Sequence, residues 1–233
     1  MNNDAYVKPM PTLSPEMTIF ELIDADPSLL SIFARLEIKL PFGDMTVEQI
    51  CRRDGFSDTL FLELCRLCIN GNYRPNAELF EEYMLPQVVH FLRASHRYYI
   101  NEMLPHAAEH LDEILASCDD LSKSTLSRFY QEYVRFVEAH LEEEERDLFS
   151  VIEGGNRASL SRFDDIVVPH TDIDDRTNDI ASLIFKCLPE RASTALRCAM
   201  LSDIYALRDD LRRHNDVEMY LLRPMIEKFI SSK

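Results

Sequence analysis

Four stretches of about 30 residues each, at 84–117, 122–152, 158–187 and 191–229, carry apolar residues at three- and four-residue spacing. That spacing is the signature of amphipathic helices. The breaks between them are short: Cys118-Asp119-Asp120, Gly154-Gly155-Asn156 and Leu188-Pro189-Glu190. Long helices joined by short loops can bury their apolar stripes only against antiparallel neighbours, so an up-down-up-down four-helix bundle over 84–229 is expected. With 5 glycines against 11 prolines, the chain is poorly supplied for glycine-rich phosphate loops or multi-turn β architectures. The fold class is all-α.

Upstream, residues 1–14 are polar and proline-bearing and are expected as a flexible tail. Residues 15–71 are expected as a small helical domain. Ile19, Phe20, Leu22 and Ile23 recur with helical spacing, as do Leu29, Leu30, Ile32, Phe33 and Leu36. Thr46 followed by Gln49, and Ser57 followed by Leu60, open two further helices. Residues 72–83, beginning Asn72-Tyr73-Arg74-Pro75-Asn76, are expected as a linker. The cadence of 46–61 resembles a helix-turn-helix, but three arginines and four acids over 45–70 give groove binding no electrostatic support. Cys65 and Cys68 form a lone C-x-x-C inside an apolar helix, where core packing is the expected role.

With 25 Lys and Arg against 41 Asp and Glu, the formal net charge is −16, which argues against nucleic acid and anionic membrane as partners. The start lacks a basic segment followed by an apolar one, and no apolar run approaches the ~18 residues of a membrane span. Six irregularly spaced cysteines are too few for a disulfide scaffold. A reducing, cytoplasmic location is expected.

The chemistry lies in the histidines. His140 is followed four residues later by Glu144, His170 by Asp174 and His214 by Glu218. On a helix such pairs share one face and can point at one ion. The three pairs fall on three of the long helices, and His96 falls on the fourth. At about 1.5 Å per residue, all four histidines lie roughly 18–22 Å from the same end of an antiparallel bundle. Imidazoles with carboxylates and without thiolates suit iron or manganese, and two carboxylates able to span two ions suit a dinuclear centre. His96 and His140 would terminate one ion and His170 and His214 the other, with Glu144 and Glu218 bridging and Asp174 an optional ligand. His90, His106 and His110 are expected at the surface or behind the ligands. Tyr98, Tyr99, Tyr130, Tyr133 and Tyr205 are expected mainly as packing residues.

HLEEEERDLF at 140–149 and HNDVEMYLLRPMI at 214–226 resemble the H-x-x-x-E helices of hemerythrin-like domains, with LRASHR at 92–97 and PHTDID at 169–174 resembling the other two ligand helices. Residues 17–56 are similar to the small domain preceding the hemerythrin-like domain in iron–sulfur cluster repair proteins. The chain departs from that pattern. It has no cysteine pair in Lys39-Leu40-Pro41-Phe42-Gly43-Asp44, Pro169 precedes the third-helix histidine, and Tyr99 replaces a further histidine. The resemblance implies two non-haem iron ions, bridged by carboxylate and an oxo or hydroxo group, with O2 or NO as ligand. It also implies restoration of iron–sulfur clusters after oxidative or nitrosative stress, with iron–sulfur client proteins and a homodimer. The competing readings are an O2 or NO carrier or sensor, and a redox enzyme.

Overall fold

A computed structural model describes residues 12–39, 41–154, 171–188 and 193–229. The chain divides into two compact units, 1–87 and 88–233.

The first unit packs four short helices: α1 (Ile19–Ala25), α2 (Leu30–Arg35), α3 (Val47–Asp54) and α4 (Asp58–Ile69). Thr18 and Glu21 form a capping box at the start of α1, and Thr46 and Gln49 form one at the start of α3. Each box satisfies two orphan backbone donors. The two starts are paired, with Ile19 N–H donating to Met45 O (3.1 Å) and Val47 N–H to Met17 O (2.9 Å). Gly55 ends α3 at φ +75°, a left-handed position that costs a side-chain-bearing residue. Ile19, Leu22, Leu29, Ile32, Ile50, Leu60 and Leu64 are fully buried, and Phe33, Phe42 and Phe61 stack around them.

Cys51, Cys65 and Cys68 lie in this core. Burial pushes the Cys51 thiol up to about 12 and Cys65 well above the usual range, so these are packing thiols rather than nucleophiles. Part of the expected tail belongs to the fold: Leu13 is buried, and its carbonyl accepts from Arg66 at 2.8 Å. The expected linker carries two short 3-10 turns (Ala77–Leu79 and Glu82–Met84) and buries Phe80. A carboxylate is also buried here. Glu63 accepts from Arg66 Nη1 (2.6 Å) and from the Tyr73 hydroxyl (2.9 Å).

The second unit holds four long helices. α5 runs 85–115, as Leu85–Tyr98, a π-turn at Tyr99–Met103 and Leu104–Leu115. α6 runs 120–153, as Asp120–Glu144, a π-turn at Glu145–Phe149 and Ser150–Glu153. α7 is Thr171–Cys187, and α8 runs 194–229, as Thr194–Val217, a π-turn at Glu218–Leu222 and Arg223–Phe229. Each packs on its neighbours in sequence, and α5 also packs on α8, the ring expected of an up-down-up-down bundle. Among the described residues no β-strand forms, and no helix is long and apolar enough to cross a membrane.

The other helix ends fall within a few residues of their expected places, the start of the third, expected at 158, lying outside the described residues, but the π-turns are new. In each, an N–H bonds five residues back: Leu104 to Tyr99, Ser150 to Glu145 and Arg223 to Glu218. Two precede a proline, Pro105 and Pro224. Proline lacks an N–H and its ring collides with the carbonyl one turn back, and a widened turn relieves both problems.

Removing Arg66 strips the main counter-charge from buried Glu63. Arg66→Ala is expected to cost about 3 kcal/mol in urea denaturation. Glu63→Leu with Arg66→Met should recover most of it, and an Arg66→Ala variant as stable as wild type contradicts the assignment.

Candidate metal centre

The buried stripe of α8 runs Met200, Ile204, Leu207, Leu211, His214, Glu218, Leu221 and Met225. His214 and Glu218 therefore occupy core positions that an ordinary bundle would fill with Leu. α5 does the same, with His96 between Leu92 and Tyr99, and α6 buries Glu144 beyond Val137 and Leu141. His96 and His214 are each 2% exposed and Glu144 and Glu218 are 0% exposed. Apolar side chains at these places would each contribute about 2 kcal/mol. Isolated carboxylates there cost several kcal/mol instead.

These side chains converge. Glu144 Oε2 lies 3.1 Å from His96 Nε2 and 3.5 Å from His214 Nε2, and the two Nε2 atoms are 3.2 Å apart. Glu144 Oε1 lies 2.8 Å from His140 Nε2, and Glu218 Oε1 lies 3.5 Å from His214 Nε2. One oxygen of Glu144 thus faces His96 and His214, and the other faces His140. This differs from the expected grouping of His96 with His140, because α5 and α8 pack directly and bring their two imidazoles face to face. Both oxygens of Glu218 are buried, and among the described residues neither makes a well-formed hydrogen bond, His214 Nε2 approaching Oε1 only to 3.5 Å. One nitrogen each of His96 and His214 and one oxygen of Glu144 lie within 4.8 Å of one another, with His140 and Glu218 flanking them, an arrangement that fits a cation.

A supporting layer surrounds them. His96 Nδ1 lies 3.1 Å from Glu145 Oε1, and Arg93 Nε donates to Glu145 Oε2 at 2.7 Å while its Nη1 reaches Glu153. A carboxylate behind an imidazole fixes its tautomer and orientation and raises its basicity as a ligand. Burial opposes the charge of Glu145, but His96 and Arg93 outweigh it and hold its carboxyl below the usual range. Phe149 stacks on His96 at 5.3 Å between centroids. Tyr99 is fully buried with its ring edge on His214, its hydroxyl donating to Asp210 O at 3.2 Å.

Of the expected ligands, His96, His140, Glu144, His214 and Glu218 are brought together. His170 lies outside the described residues. Asp174 takes part in an α7–α8 ion pair, with Arg212 Nε at 3.0 and 2.9 Å from its two oxygens. Sequence reasoning missed Arg93 and Glu145. Glu145 was hidden in the run Glu142–Glu145, and Arg93, three residues before His96, carried the available signal.

An antiparallel bundle with a histidine–carboxylate cluster in its core is the architecture of a metal-binding helical protein. Residues 87–226, more than half of the chain, match the Hemerythrin HHE cation binding domain, and the chain belongs to that family. No curated protein matches the chain.

Without a cation, protons fill its place. Burial pulls His140 and His214 down, but contact with Glu144 and Glu218 outweighs it. His140 is raised above the ordinary imidazole value, and His214 goes up to about 10. The His214 value lies above the ~6.5 of an unfolded imidazole, so its ion pairs contribute stability that is complete below about pH 6.5 and lost as pH rises to about 10. Thermal melts of metal-stripped protein should show Tm falling from about pH 7 to about pH 10, with a flatter profile in His214→Leu. Identical profiles for the two proteins contradict this charge assignment.

Proposed function

We propose that this chain is a non-haem di-iron protein whose buried centre takes a diatomic ligand, O2 or NO. The observation that carries the proposal is the two-sided environment of Glu144, which bridging of two ions requires. In this reading His96, His214 and Glu218 serve one ion and His140 the other, with Glu144 between them. His170 and Asp174 remain candidates for the second ion, Asp174 on release from Arg212. All-nitrogen-and-oxygen ligation favours iron over structural zinc. When bound, the iron pair supplies one-electron steps and an open position for the ligand.

The protein's own residues do the rest. Glu145 and Arg93 hold the His96 ring in place, and Phe149 covers its face. Tyr99 fills the space beside His214 and directs its hydroxyl away, to the Asp210 carbonyl. A cavity of about 370 Å³, lined by His96, Ile100, Leu141 and Glu145 among others, leads to the His96 ring. Its mainly apolar lining and the burial of the four innermost side chains favour small uncharged ligands over anions or organic substrates.

The physiological use we infer is repair of iron–sulfur clusters, supported by the similarity of residues 17–56 to the small domain of repair proteins. The burial of Cys51, Cys65 and Cys68 deprives that unit of thiolates, so repair would draw on iron or NO handling in the bundle. The closed centre also favours a second reading, an O2 or NO carrier or sensor.

The test begins with anaerobically reduced, iron-loaded protein exposed to O2 or to NO. Stoichiometric uptake with an optical change is expected, together with its loss in Glu144→Ala; no uptake of either gas overturns the proposal. The same protein is then mixed with a dehydratase whose iron–sulfur cluster has lost iron. Reactivation with loss of iron from the bundle supports repair, whereas reversible O2 binding with full iron retention supports carriage or sensing.

A further inference from the structure

A second group of metal-binding side chains lies on the flank of the bundle, where α5 meets α8. His106 and His110 sit one turn apart on α5, with ring centroids 4.8 Å apart. Asp203 on α8 faces them, its Oδ2 2.5 Å from His110 Nδ1 and its Oδ1 3.9 Å from His106 Nε2. One nitrogen from each histidine and one oxygen of Asp203 all lie within 4.8 Å of one another. The group borders a cavity of about 400 Å³ lined also by Tyr98, Glu102, Met103 and Ala206.

We propose that His106, His110 and Asp203 form a separate mononuclear site for a divalent transition ion, zinc under cellular conditions. The ligand set is two imidazoles from adjacent turns and one carboxylate, the three-ligand pattern that leaves zinc a fourth position for water. The His110–Asp203 pair is already in place. The His106 side chain is 60% exposed, so a small rotation that closes the group meets little packing resistance.

The site is distinct from the buried centre. His106 is ten residues beyond His96 on α5, and Asp203 is eleven before His214 on α8, so the two lie about 15 Å apart along the bundle. Water reaches the outer group, which offers two imidazoles and a single carboxylate, so it holds less negative charge than the core and favours a single ion. A bound ion would tie α5 to α8 and stabilise the folded state in proportion to its occupancy.

The experiment uses the full chain in a Cys198→Ser background, which removes an exposed cysteine. Zinc binding is measured by equilibrium dialysis in two forms, the iron-loaded protein and a Glu144→Ala plus His214→Ala variant lacking the inner ligands. Both are expected to take up one zinc per chain. His110→Ala and Asp203→Asn should each weaken uptake at least tenfold and abolish the zinc-dependent rise in Tm, with the iron content unchanged. Uptake that survives His110→Ala and Asp203→Asn, or no stoichiometric zinc in either form, overturns the proposal and leaves an interhelical hydrogen bond. The inner-site variant keeps this result independent of whether the core binds iron.

Discussion

The Glu144 carboxylate, fully buried between imidazoles from three helices, is the constraint around which the bundle is arranged. Its desolvation costs several kcal/mol unless positive charge surrounds it. His140 from its own helix and His214 from α8 supply that charge as protonated rings, or relinquish it to a cation that His96 from α5 also faces. Either way α5, α6 and α8 must meet at one level. Glu218 raises the requirement, because its buried oxygens make no well-formed hydrogen bond among the described residues, with His214 Nε2 no nearer than 3.5 Å. A bundle built only for stability would place leucines here. Carboxylates at these positions are intelligible as half of a site whose other half is a cation, and binding it must release protons and weaken as pH falls.

The π-turns serve the same geometry. Each begins at or just after a cluster residue: Tyr99 three residues beyond His96, Glu145 next to Glu144, and Glu218 itself. An extra residue in a turn rotates the following helix by about 100° relative to the preceding one. In α6 this lets adjacent glutamates do different work, Glu144 turned to the core and Glu145 to the back of His96 and to Arg93. It also brings Phe149 over the His96 ring.

Much of this was legible in the sequence because helical period and histidine spacing are local signals. The long helices, as far as they are described, and the i,i+4 pairs of His140 with Glu144 and His214 with Glu218 required no tertiary knowledge. The detailed grouping did require it. Which imidazole faces which depends on helix rotation, and the π-turns alter rotation without altering hydrophobic period; Pro105 and Pro224 mark two of them, and nothing local marks the third. Asp174 shows another limit. Spacing alone offers it to His170, but Arg212, 38 residues later and on another helix, takes both its oxygens. In the first unit, Leu13 and Phe80 fell in stretches whose polar, proline-rich character hid single anchoring residues.

The central claim is that the buried histidines and glutamates exist to hold iron. Metal analysis of protein purified from iron-supplemented cells, beside Glu144→Ala and Glu218→Gln variants of matched helicity, tests it most directly. Two iron ions per chain in the wild type and fewer than one in each variant are predicted. Wild-type protein without iron, or folded variants that retain the full complement, would contradict the account.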